Sequence, residues 1–283
     1  MNIENKISST MMIPLYHKMC ETKRELQGLE CILKDYDAVR ICENIEYDFS
    51  VYENDHFSKI GCCVRANYFD NKAFDFINKY ENAVIINAGC GLDARYSRVL
   101  AKNPKNINSA FFYDVDLDEV IKIRQKFYKE NHQNKFLIGN ILNNDWIKYI
   151  KESHPNSHYL VICEGVLMYI SNDDIKTFLK NLQIIKEFEF WCDFLGSKFY
   201  KKQQVHKTLD KLNINTSSYI DSENDFIKLI DFSNINCIET KTYFSIFTKR
   251  YGLKAMFFNL FPDSFLKKYS FLAGFLIKND IKS

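Results

Sequence analysis

The chain has 283 residues, 46% hydrophobic, 26% charged and 15% aromatic, with a formal net charge of +2. This length suits one large α/β domain with additions, and the near-neutral charge excludes a bulk electrostatic case for nucleic acid. Nine cysteines, an odd number without any C-x-x-C, exclude a closed disulfide framework and suggest reduced thiols in a cytosolic protein.

Residues 1–10 are polar and acidic, so no signal peptide is expected. The longest late apolar run, residues 271–277, is too short to span a bilayer. A cytoplasmic location with no membrane partner is therefore expected. Residues 11–16, MMIPLY, are apolar, and Leu15, Met19, Leu26, Leu29 and Ile32 follow at rough helical spacing. A second short helix is expected near residues 38–43. Cys20, Cys31 and Cys42 are eleven apart, but no histidine accompanies them at ligand spacing. They read as core, and no metal site is expected. Residues 57–80 read as one or two helices burying Phe69, Ala73, Phe76 and Ile77. By spacing alone Arg65 in that stretch is a solvated charge.

Residues 84–98, VIINAGCGLDARYSR, organise the chain. An apolar β-branched run reads as a buried parallel strand, and it passes through Gly89, Cys90 and Gly91 into a helix from about Asp93. Strand, glycine turn and helix N-terminus form a site for a nucleotide-like ligand, because the backbone can approach the ligand and offer free N–H groups. A second strand, residues 110–116, ends in acids. Asp114 or Asp116 would supply two acceptors for two ribose hydroxyls. A helix follows, then a third strand at residues 136–138 and Gly139-Asn140, where a polar side chain would suit an adenine edge. Residues 158–163 form a fourth strand with Glu164 to Tyr169 at its C-terminal end. Ser171 begins a capping box and a helix carrying Ile175, Phe178, Leu179, Leu182 and Ile185. Residues 188–194 read as a fifth strand. The polar residues 197–225, with Lys201, Lys202, His206, Lys207 and Lys211, read as a lid or a solvated helical insertion. Residues 225–232 look helical, and residues 237–247 and 270–278 look like late strands forming an antiparallel edge. The chain is read as one domain: an N-terminal helical cap (1–80), a ligand-binding core (81–195), a candidate lid (196–235) and C-terminal strands (236–283).

The alternation suits a nicotinamide dehydrogenase or an S-adenosylmethionine (SAM) methyltransferase. SAM carries a carboxylate, an amine and a sulfonium instead of a pyrophosphate. Arg65 could hold the carboxylate as a bidentate donor, while turn carbonyls and Glu164 accept from the amine. No hydride-transfer site is recognisable. Arg65, VIINAGCGLDARYSR, FYDVDLDEVIKIR and LVICEGVLMYI together resemble the leucine carboxyl methyltransferase family, in its bacterial branch of SAM-dependent O-methyltransferases, which includes polyketide enzymes. The resemblance spans residues 13–181, and IPLYHKMCETKR and ILKDYDA share in it.

The resemblance implies a class I methyltransferase fold: a Rossmann-like seven-stranded sheet with an antiparallel last strand. It implies that Arg65 holds the SAM carboxylate and that Gly89, Cys90 and Gly91 form the turn beneath its amino acid part. Asp116 would bind the ribose, Asn140 and Ile141 would line adenine, and Glu164 would sit near the amine. Lys34 would also approach SAM, and Tyr169 would face the methyl-transfer cavity as the candidate catalytic residue. Tyr36 stands where the family usually has proline, Lys18 where many members have arginine, and Asn140 where some have aspartate. The implied reaction is O-methylation of a small molecule, with S-adenosylhomocysteine as product. A carboxylate acceptor needs no base; for a hydroxyl acceptor, His206 is the candidate. The alternatives are a protein C-terminal carboxyl methyltransferase and a non-catalytic SAM-binding regulator.

Overall fold

The computed structural model describes residues 10–53, 56–201, 216–230, 232 and 234–279. Helix α1 (Met12–Leu26) tolerates Pro14 because that residue lies in its first turn, where N–H groups lack intrahelical partners. It ends at Leu26, just before Gly28 at φ +75°. The expected apolar stripe therefore stops there, and Leu26 and Leu29 are exposed. Helix α2 (Tyr36–Asn44) starts at Asp35, whose carboxylate accepts the Ala38 N–H at 2.8 Å. Both helices pack into one cluster through Leu15, Met19, Ala38 and Ile41. Helix α3 (His56–Lys79) is a single element and buries Phe69, Ala73, Phe76 and Ile77 on the sheet face carrying Ile85, Phe112 and Leu160.

From there strands and helices alternate: β1 (Ala83–Ala88), α4 (Arg95–Ala101), β2 (Phe111–Asp116), α5 (Asp118–Phe127), β3 (Asn134–Ile138), α6 (Asp145–Ser153), β4 (His158–Cys163), α7 (Asn172–Leu182) and β5 (Glu187–Leu195). Every residue of β1 is buried, as its unbroken apolar run requires. Helix α6 lies in a stretch not read as an element from the sequence, although Trp146, Ile147 and Ile150 share its buried face. The Ser171 hydroxyl and Asp174 close the expected capping box on α7.

The chain continues through α8 (Ser197–Tyr200), α9 (Glu223–Ile230), β6 (Ile235–Thr242), α10 (Leu253–Phe258), α11 (Asp263–Leu266) and β7 (Ser270–Lys278). Strand β6 stops at Thr242 rather than running to residue 247. The chain there winds into a 3-10 turn, Tyr243–Ser245, and the Tyr243 hydroxyl donates to Asp193 at 3.2 Å. Lys202, His206, Lys207 and Lys211 lie outside the described residues.

The seven strands form one sheet in the order β3-β2-β1-β4-β5-β7-β6. β7 runs antiparallel between β5 and β6, and β1 to β5 are parallel. Ala88 is level with Val115, and Cys163 with Cys192. The C-terminal ends of these strands thus share one edge. The strand order reverses between β1 and β4, which opens a crevice at that edge. No described helix is long and apolar enough to cross a membrane.

Candidate functional site

A cavity of about 1100 Å³ occupies the C-terminal edge of the sheet. Its walls come from the β1–α4 turn, the loops after β2, β3, β4 and β5, helices α1 and α3, and the segment from Tyr243 to Phe258. Arg65, Gly89, Cys90, Gly91, Asp116, Asn140, Ile141, Glu164 and Tyr169 all line it. The sequence scatters these residues over a hundred positions, and the parallel strands bring them together because each strand delivers its C-terminal loop to the same edge.

The glycine turn needs its glycines. Gly89 and Gly91 have φ of +73° and +51°, and a Cβ on Gly89 would overlap the Val166 side chain. The Gly89 and Cys90 N–H groups donate to the Val115 carbonyl at 2.9 and 3.2 Å. The Gly91 N–H donates to Asp116 Oδ2 at 2.8 Å, and the Leu117 N–H donates to Oδ1, also at 2.8 Å. Asp116 is thereby fixed at the end of β2, and each oxygen retains acceptor capacity. Burial raises its pKa, against the opposing effect of the two N–H groups. Asp114 is committed elsewhere: it accepts from Asn87 at 2.6 Å, Asn134 at 2.9 Å and Arg124 at 2.6 Å.

Arg65 is no solvated charge. Its Nε donates to Glu164 Oε1 at 3.1 Å, and its Nη1 to Asp193 Oδ2 at 2.9 Å. Asp193 Oδ1 in turn accepts the Gly165 N–H at 2.6 Å. Gly165 has φ +68°, and a Cβ there would come within 2.7 Å of Arg65 Nη2. The Tyr243 hydroxyl also lies within hydrogen-bonding reach of the guanidinium. Glu164 also pairs with Arg95, which reaches Asn87 Oδ1 at 2.7 Å and Asp70 at 3.2 Å.

Beside the turn, Asp93 gathers Lys18, Arg98 and Arg95. Burial alone would raise its pKa, but these three cations outweigh it and hold the carboxyl well below the usual range. Arg98 also bonds Asp70 and, at 2.6 Å, Asp35. Cavity floor, α1 and α3 are thus tied together by buried charges.

Lys34 does not take part. Its side chain is 55% exposed, and its ammonium bonds Glu25 at 2.7 Å. The adjacent Asp35 turns inward to cap α2 and meet Arg98, which leaves Lys34 pointing outward. Lys18 lines the cavity instead. Burial pushes the Tyr169 phenol up to about 12, so it enters the cavity as a protonated donor at neutral pH. His206 lies outside the described residues.

Several cavity residues escaped the sequence reading, Asp193, Tyr243 and Lys198 among them. Asp193 is the sole charge in FWCDFL, within an otherwise apolar strand end, and that signal was available. Tyr243 carries no such signal. Lys198, on α8, lines the cavity with its ammonium 3.4 Å from the Phe265 ring centroid and 5.3 Å from that of Tyr269. It makes no ion pair among the described residues. The cysteines of the described chain are all free, and no cluster of three or more potential metal ligands occurs among the described residues.

A family model described as leucine carboxyl methyltransferase matches residues 46–183. The tetracenomycin polyketide synthesis O-methyltransferase TcmP of Streptomyces glaucescens is 26% identical over 151 residues, which are 53% of each chain. The match spans about half the length of that relative. Among solved structures, a protein of Thermobifida fusca YX provisionally named a methyltransferase superposes with a TM-score of 0.53 at 12% identity, over 92% of this chain and 94% of that one. A duf574 family protein of Streptomyces avermitilis MA-4680 gives 0.51 at 10% identity, over 77% and 84%. The sheet order, with its antiparallel β7, is that of the class I methyltransferase fold.

Proposed function

We propose, for a chain that is leucine carboxyl methyltransferase-like in sequence and class I methyltransferase in fold, that it transfers a methyl group from SAM to an oxygen of a small molecule. The observation that carries this reading is the convergence of Arg65, the Gly89–Gly91 turn, Asp116 and Glu164 on one cavity of about 1100 Å³. That volume exceeds the range of about 300–1,000 Å³ usual for a single ligand. There is room for a cofactor and an acceptor together.

The residues fit SAM better than a dinucleotide. Two carboxylates, Asp93 and Glu164, line the cavity next to the turn. Both are already paired with cations, Asp93 with Lys18, Arg95 and Arg98 and Glu164 with Arg65 and Arg95, and each keeps acceptor capacity for an ammonium group. Arg65, with five N–H donors, can donate to a carboxylate, and Asp116 can accept from two ribose hydroxyls. Asn140 and Ile141 would flank the base. SAM bound there would supply an electrophilic methyl group on a sulfonium. The chain's part is to hold donor and acceptor in line and exclude water, and positioning supplies much of the acceleration in such a displacement.

The acceptor side carries Phe199, Tyr243, Phe244 and Phe258 with Lys198. We read the acceptor as an apolar molecule bearing an anionic group that Lys198 positions. Tyr169 can donate to the acceptor but, with its pKa pushed up to about 12, does not serve as a base near neutrality. Replacing Lys198 by Met should raise KM for an anionic acceptor about tenfold and leave kcat and SAM affinity nearly unchanged. An equal loss for a neutral analogue would show that Lys198 only packs against Phe265.

The cofactor reading is tested by calorimetric titration of SAM, S-adenosylhomocysteine and NAD into the protein and its Arg65→Ala and Asp116→Ala variants. Binding of SAM and its product, weakened at least tenfold in each variant, is expected. Binding of NAD alone would return the glycine turn to a dehydrogenase.

A further inference from the structure

Residues 253–261 carry the most exposed apolar surface of the described chain. Leu253, Phe257 and Leu260 are 73%, 69% and 80% exposed, and Met256 and Phe261 are close to half exposed. Leu253, Met256 and Phe257 share the outer face of α10 at helical spacing, and Leu260 and Phe261 in the turn after it extend the exposed patch, Phe261 stacking in part on Phe265. Helix α10 and the turn after it hold that patch in place: the Asn259 N–H bonds the Ala255 carbonyl at 3.0 Å, and the Phe261 N–H bonds the Phe258 carbonyl at 3.1 Å. The opposite side of the same segment is already used. Ala255 and Phe258 line the cavity, and Phe258 packs edge-on against Phe244 and Tyr269. A patch of this size is unusual for a surface with no partner.

The charges around it select the partner. Residues 248–268 contain Lys249, Arg250, Lys254, Lys267 and Lys268 against one acid, Asp263. Arg250 is committed to Glu21 and Lys267 to Glu223. Lys249 and Lys268 stay exposed. A second copy of the chain placed on this face by a two-fold axis would bring like charges together. An anionic lipid surface instead matches both features, apolar side chains for the acyl boundary and lysines for the headgroups.

We propose that the α10 patch, Leu253, Met256, Phe257, Leu260 and Phe261, docks this protein on an anionic membrane surface with the cavity beside the bilayer. Interfacial binding needs no spanning segment, and the inner face of α10 would place an apolar acceptor's route between lipid and cavity. The inference does not rest on the methyltransferase reading, because binding to vesicles is measured without turnover.

The test is flotation of the full chain with phosphatidylcholine vesicles, with and without phosphatidylglycerol, at low and high salt, alongside sedimentation velocity without lipid. The L253D/F257D/L260D and K249E/K268E variants are compared with the wild type, and circular dichroism and thermal midpoints establish that they are folded. The expected result is binding to anionic vesicles that salt weakens, and a loss of about tenfold or more in each variant. No binding to anionic vesicles overturns the proposal, as does equal binding by wild type and the aspartate variant. A lipid-free dimer dissolved by the aspartate substitutions, without vesicle binding, overturns it in favour of a second copy.

Discussion

Asp93 is the residue on which the buried charges around the glycine turn depend. It faces Lys18, Arg95 and Arg98 with its side chain only 16% exposed. Its folded pKa is depressed, so the stability it contributes is present above its unfolded value of about 3.9 and is lost as pH falls below that toward the folded value. Replacing Asp93 with Asn removes the carboxylate and leaves three cations facing each other. Urea unfolding at neutral pH should show a loss of about 3 kcal/mol. Between pH 5 and pH 3, the variant should also lose stability less steeply than the wild type. Coinciding slopes would mean that another carboxylate carries the acid sensitivity. Arg95 and Arg98 are near neighbours of Asp93 in the sequence, but Lys18 was not legible as its partner, because it is 75 positions away and no local spacing points to it.

At the scale of elements, the antiparallel insertion of β7 between β5 and β6 sets what the wall of the cavity beyond β5 is made of. Gly274 pairs with Trp191 across β5 and β7, and a Cβ on Gly274 would lie 2.6 Å from the indole ring. Trp191 has little room to yield, since Tyr68 packs edge-on against it and the Lys72 ammonium sits 4.5 Å from its centroid. Gly274→Ala should therefore cost about 1–3 kcal/mol by overpacking, read as a lower denaturation midpoint at constant m-value. An unchanged midpoint would show that β7 can shift along β5. The strands themselves were legible, because β1, β4 and β5 are apolar runs of strand length bounded by turns. The early end of β6 was not, because it follows from the bond between Tyr243 and Asp193, 50 positions apart.

For the whole molecule, α1 and α3 close over the sheet edge, so a ligand in the cavity touches elements from both halves of the chain. Met11, Lys18, Arg65, Asp116 and Glu164 line one space. A ligand bound there should raise the stability of the entire fold. At a hundred times its dissociation constant SAM should add about 2.7 kcal/mol, a midpoint increase of roughly 4–5 °C for a chain of this size. At the same SAM concentration the rise should fall by about half or more in Asp116→Ala, in keeping with binding weakened at least tenfold. An undiminished rise would place the nucleoside elsewhere in the cavity.

The sequence by itself determined the strand–helix alternation, the glycine turn and the acid after β2, because burial period, positive φ and strand-end position are local properties. Of the cofactor-binding residues that the resemblance implies, the folded chain puts all but Lys34 on the cavity wall. Tertiary structure decided the rest: that Lys18 rather than Lys34 reaches the turn, that Arg65 is held between Glu164 and Asp193, and that Lys198 lines the cavity. Those outcomes depend on which surfaces the folded chain brings within a few ångströms. Hydrogen bonds such as Arg65 to Asp193, between residues 128 positions apart, leave no periodic trace in the sequence.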